Sequence, residues 1–201
     1  MYILLTDILT CPRCGPDYGL ILLADHIADR RVLAGTLGCP NCRERYAIHE
    51  GFGELGAGWS DTTSADAPDA AVRLAALLGV TEGPAFVLLV GASARHAEAV
   101  ADLVPGIEVI AASDDARAWP ERAGVSRIGV GETLPLLDRK LRAIALDGAE
   151  SMGLIGEAVR SLGPGGRLVV SHAPADAAAR IGAAGLAILA EQDGTVVAER
   201  R

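Results

Sequence analysis

Two short turns constrain this chain more than anything else in it. They are CPRC, with Cys11 and Cys14, and CPNC, with Cys39 and Cys42, and together they hold all four cysteines. Two residues between thiolates let both sulfurs reach one ion from a tight turn, and proline stiffens that turn. Two such turns supply four soft ligands in tetrahedral geometry, with no position left open for water. This is the arrangement of a structural zinc site, so the expected ion holds the fold and does not catalyse. Residues 15–38 carry two short apolar segments, YGLILL and RVLAGTL, suited to a hairpin between the turns. Two disulfides, free thiols or a redox pair are the alternatives. Disulfides are disfavoured in a chain with no export signal, and a redox pair by the absence of a thioredoxin-like βαβ context.

The rest of the sequence sets the frame around these turns. MYILLTDILTCPRC lacks a basic leader and Asp7 interrupts its apolar residues, so the expectation is a cytoplasmic protein without a signal peptide. No apolar run reaches the roughly 18 residues of a membrane helix. With 18 Lys and Arg against 26 Asp and Glu, the net charge is −8, which disfavours a large RNA footprint. The expected organisation is a zinc-ribbon domain over 1–55, a linker over 56–70 and an α/β domain over 71–201. The linker reading rests on GAGWSDTTSADAPDA, which has turn-forming composition and no apolar periodicity.

LTCPRC and LGCPNCRERYAIHEGFGEL resemble the small zinc-ribbon proteins related to the activator subunit of tRNA and other methyltransferases. Tyr46, Ile48 and Gly51 match the tail of that pattern, and Ala47 stands where proline is common. The resemblance covers about the first 55 residues. It implies a module that docks on a methyltransferase fold, using a strand edge to extend a partner's sheet.

From residue 69 onward, apolar runs alternate with helical stripes, the pattern of a parallel α/β sheet. DAAVRLAALLGV reads as a helix closed by Gly79, and AFVLLV as a strand covered on both faces. Ser93 is a plausible cap for a helix over 94–103. IEVIAA, VSRIGVG, LRAIALDG and RLVVSH follow as strands, and Asp193-Gly194 marks a closing hairpin. VRSLGPGGRLVVSHA, GETLPLLDRKLRAIALDG and AGLAILAEQDGTVVAER resemble the strand-five entry, the strand-four run and the last hairpin of class I S-adenosylmethionine-dependent methyltransferases. The expected fold is therefore a Rossmann-like class I methyltransferase sheet, parallel strands plus a C-terminal antiparallel hairpin, beside the zinc ribbon.

In that family the loop after the first strand reads acidic-x-Gly-x-Gly-x-Gly, because glycines let the backbone approach the cofactor closely. Here Leu89 stands at the acidic position, Gly91 matches, and Ser93 and Arg95 replace the second and third glycines. The carboxylate that receives the ribose hydroxyls has Asp114 or Asp115 as its counterpart, just after Ser113, although SDD is equally a helix cap. The cofactor-binding set implied by the resemblance is thus Gly91, Ser93, Arg95 and Asp114. Asp147 and His172, at the ends of the fourth and fifth strands, are the candidate catalytic groups. The Asn-Pro-Pro-aromatic motif of strand four is missing.

The expected function is a methyltransferase-like protein that no longer catalyses and acts as a scaffold, meeting a protein partner through the zinc module or a sheet edge. The alternative is an active S-adenosylmethionine-dependent methyltransferase with an atypical loop.

Overall fold

The computed structural model describes residues 1–60 and 69–201. Strands β1 (Thr10–Cys11) and β2 (Gly15–Gly19) form a small antiparallel pair beside the first cysteine turn. Four strands follow before the linker: β3 (Ile21–Ala28), β4 (Arg31–Gly38), β5 (Arg45–His49) and β6 (Phe52–Glu54). The α/β part contributes β7 (Ala85–Val90), β8 (Ile107–Ala112), β9 (Val125–Gly129), β10 (Leu141–Asp147) and β11 (Leu162–Ser171), then β12 (Ala187–Gln192) and β13 (Thr195–Glu199). Its helices are α1 (Ala70–Leu78), α2 (Ala97–Leu103), α3 (Ile155–Ser161) and α4 (Ala177–Ala183).

Among the described residues, β3 to β13 form one sheet of 11 strands, in the order β12-β13-β11-β10-β7-β8-β9-β6-β5-β4-β3. Strands β7 to β11 are parallel, and β13 returns antiparallel to β11. IEVIAA is buried at every position, as a strand covered on both faces must be. Asp193 and Gly194 turn the last hairpin with φ of 48° and 68°, the positive values that a type I′ turn requires. One core lies between the sheet and α1 and α2, around Val87, Leu89 and Val109. A second lies on the opposite face, around Leu88, Ile110 and Ile144.

The N-terminal segment belongs to that second core. The crossover from β9 to β10 contains no helix, and the short 3-10 segment Ile3–Ile8 lies across the face instead. Leu5, Ile8 and Leu9 are buried there with Leu134 and Leu136. Thr10 N–H donates to the Pro135 carbonyl and Leu137 N–H to the Ile8 carbonyl, both at 2.9 Å.

The cysteine-bearing strands and the α/β strands meet where β6 runs parallel to β9, Phe52 opposite Arg127 and Glu54 opposite Gly129. The strand edge that the resemblance offers to a partner is therefore occupied within this chain. A buried ion network reinforces the joint. Arg31 of β4 reaches Glu108 and Glu121 at 2.6 Å each and also the Val125 carbonyl. Ser126 Oγ donates to Glu108 at 2.6 Å, and Arg127, 1% exposed, pairs with Glu121 at 3.0 Å. Removing one member would strand a buried charge, which costs about 3–5 kcal/mol.

Most of the expected 56–70 linker, residues 61–68, lies outside the described residues. Its first part, 56–60, leaves β6 and crosses the carboxyl end of the sheet. Backbone passes backbone so closely there that both sides need glycine. A Cβ on Gly56 would sit 2.5 Å from Gly131 N, and one on Gly129 would strike the Gly56 carbonyl oxygen.

Candidate functional site

The two cysteine turns converge on one point. The sulfurs of Cys11, Cys14, Cys39 and Cys42 lie within 4.8 Å of one another, and none is in a disulfide. Cys11 and Cys42 are 3.7 Å apart and Cys14 and Cys39 are 3.8 Å apart. A tetrahedral zinc with bonds of about 2.3 Å has sulfur–sulfur edges of about 3.8 Å, so the donor set fits that ion in both spacing and softness. The Tyr46 hydroxyl lies 3.4 Å from Cys11 Sγ. Burial pushes the Cys11 thiol up, but hydrogen bonds from Tyr46 and the backbone of this turn outweigh it and bring the thiol to about 7.

At the carboxyl edge of the parallel strands, the loop after β7 forms a 3-10 turn, Gly91–His96, instead of opening directly into a helix. Gly91 has φ of +62°, a conformation that favours glycine. The tight winding turns Ser93 inward, 4% exposed, so it is no helix cap and α2 begins only at Ala97. Arg95 Nε donates to the Ala92 carbonyl at 3.2 Å. Ser113 does act as a cap, accepting from Asp115 N–H at 3.3 Å.

Directly over this edge lies Trp59. A Cβ at Gly91 would come 3.6 Å from its six-membered ring at Cε3. Its indole Nε1–H donates to the Gly131 carbonyl at 2.8 Å, and its own carbonyl accepts from Asp114 N–H at 2.6 Å. The preceding Gly58 N–H donates to Asp114 Oδ2 at 2.8 Å. The other carboxylate oxygen, Oδ1, is buried and has no partner among the described residues. Thus the two groups that the resemblance assigns to the cofactor's closest approach and to its ribose, Gly91 and Asp114, both face the chain's own Gly58-Trp59.

The remaining site residues line a separate cleft of about 220 Å3, which includes Ser93, Arg95, Asp147 and His172. Ligand pockets usually span about 300–1,000 Å3. Asp147 and His172 meet because β10 and β11 are adjacent and in register there, Asp147 opposite Ser171. His172 Nδ1 lies 3.0 Å from Asp147 Oδ1, with the imidazole 71% exposed and the carboxylate 14%. The histidine that looks solitary in the sequence has a carboxylate partner. Trp59 and Gly131 are what a reading of motifs misses. The available signal is glycine density, Gly56 and Gly58 before the tryptophan and Gly129 and Gly131 at the end of β9, which marks two backbones in close approach.

No protein-family model and no curated protein matches the sequence. Solved structures do match the fold. A tRNA methyltransferase of Aquifex aeolicus aligns with TM-score 0.52 and 14% identity over 71% of this chain and 72% of its own. An S-adenosylmethionine-dependent O-methyltransferase of Thermotoga maritima gives 0.52 and 13% over 69% and 67%. A further S-adenosylmethionine-dependent methyltransferase of Aquifex aeolicus gives 0.51 and 16% over 68% and 95%. The chain thus has the Rossmann-like fold of the class I methyltransferases, with a four-cysteine module suited to a zinc ribbon built into one end of its sheet.

Proposed function

We propose that this is a methyltransferase-like protein that transfers no methyl group, a zinc-stabilised scaffold whose cofactor groove is closed by its own Gly58-Trp59. The observation that carries this reading is the placement of Trp59 over Gly91 and against Asp114 and Gly131. With the indole there, the residues do not fit an adenosine-bearing cofactor. Leu89, Ser93 and Arg95 in place of the acidic residue and two glycines support the same conclusion.

Cys11, Cys14, Cys39 and Cys42 would hold the zinc, which cross-links the two turns and takes no part in chemistry. Strand β6 is already paired on both sides within the chain, so a protein partner would find its surface on β3, at one end of the sheet, where Ile21, Leu23 and Ile27 are exposed.

One observation favours the second reading, an active S-adenosylmethionine-dependent enzyme. Asp147 orients His172 at the mouth of a cleft, and an imidazole so held can accept a proton.

Calorimetric titration of the zinc-loaded protein with S-adenosylmethionine and S-adenosylhomocysteine separates the two. No heat up to about 1 mM ligand is expected, and micromolar binding by the unaltered chain overturns the scaffold reading. Trp59→Ala locates the block. Gained affinity assigns it to the indole, and unchanged silence assigns it to Leu89, Ser93 and Arg95.

A further inference from the structure

A second concavity, of about 520 Å3, lies at the opposite end of the sheet from the groove, at the amino ends of β7, β8 and β10. That volume is within the range of small-molecule pockets. It exists because the cover of this face is short. The 3-10 segment Ile3–Ile8 has 6 residues and stands where the β9–β10 crossover has no helix, so it leaves apolar surface uncovered beside Phe86 and Leu141. Leu4, on the wall formed by that segment, is 44% exposed.

The rim of this pocket is basic in a chain of net charge −8. Arg139, Lys140 and Arg142 all line it. Arg142 donates to the Pro164 carbonyl at 3.3 Å, and none of the three makes an ion pair among the described residues. The neighbouring Asp138 is taken by Arg160 at 2.8 Å. Glu108, the pocket's one carboxylate, is held by Arg31 and Ser126 and is 8% exposed. A further cation stands close by, since Arg30 donates to Tyr2 Oη at 2.8 Å and Tyr2 lines the pocket.

We infer that this amino-edge pocket binds a small ligand with an apolar body and a single anionic head, such as a medium-chain carboxylate. The apolar floor takes the body, and the three cations without carboxylate partners take the head through charge-assisted hydrogen bonds. The site shares no residue with the Gly58-Trp59 groove, so it stands or falls independently of the scaffold reading.

The test is calorimetry of the zinc-loaded full chain with decanoate, decanol and acetate. Decanoate is expected to bind with one site per chain, decanol about tenfold or more weaker, and acetate not at all. The triple variant Arg139→Gln/Lys140→Gln/Arg142→Gln should weaken decanoate about tenfold or more while its thermal melt stays near that of the unaltered chain, because all three side chains are exposed. Raising the salt concentration on the unaltered chain gives a second measure, with several-fold weaker binding expected. Silence with decanoate, equal binding of decanol, or salt-insensitive binding that survives the triple variant overturns the inference. Capture on phosphatidylglycerol vesicles without binding of free decanoate overturns it in favour of a membrane surface.

Discussion

The four-cysteine module and the sheet edge over Gly91 are built in opposite ways. The four cysteines come from two turns of four residues each, and each turn positions its own pair of sulfurs. The groove over Gly91 is assembled from Trp59, Asp114 and Gly131, contributed by separate loops whose meeting depends on the whole sheet. The first site is a property of spacing and the second a property of topology. A site of the first kind survives inspection of a short window of sequence. A site of the second kind can be rebuilt by residues that no motif contains.

The comparison breaks most decisively at the cysteines. Cys39→Ser should abolish zinc binding and forfeit much of a metal-linked folding energy on the order of 10 kcal/mol. Metal content by atomic emission and thermal unfolding by circular dichroism check this, and a variant that kept its melt would mean the module folds without the ion. Next in size is the joint between the two regions. Arg31→Met leaves Glu108 buried without its cation and should cost about 3–5 kcal/mol in denaturant unfolding. Adding Glu108→Leu should recover part of that loss, since apolar replacement of both partners is far milder. Gly56→Val drives a side chain into the Gly131 backbone and should cost about 1–3 kcal/mol. It should also release Trp59, seen as a red shift of its emission in a Trp119→Phe background. The smallest effect belongs to Asp147→Asn, about 0–1 kcal/mol, because its partner His172 is mostly exposed.

These magnitudes follow what was legible in the sequence. The strand runs, the Gly79 stop of α1 and the Asp193-Gly194 turn are local, and each appears where its residues predict it. The cysteine cluster is equally local. The parallel pairing of β6 with β9 could not be read from either strand, because a strand of three residues, hairpinned to β5 on one side, carries no label for the distant partner on its other side. Arg31 and Arg127 look like surface arginines in the sequence. Only the fold shows that each is buried, Arg31 against the distant Glu108 and Arg127 against Glu121 of the loop before β9. Gly91 and Asp114 were legible as positions on a loop, but what faces them is Trp59, from a stretch whose composition suggests nothing beyond a connection.

The pairing of Phe52 with Arg127 also orders events in time. Hairpins such as β3–β4 and β4–β5 close between neighbours in sequence, so the four-cysteine module can form early. Its last strand, β6, then waits, because β9 becomes a template only after it has been synthesised and laid down beside β8. Gly56 to Trp59 follow β6 directly, so the indole reaches its place over Gly91 in the same step that joins the two halves. Pairing of β6 with β9 and placement of the indole over Gly91 are thereby coupled.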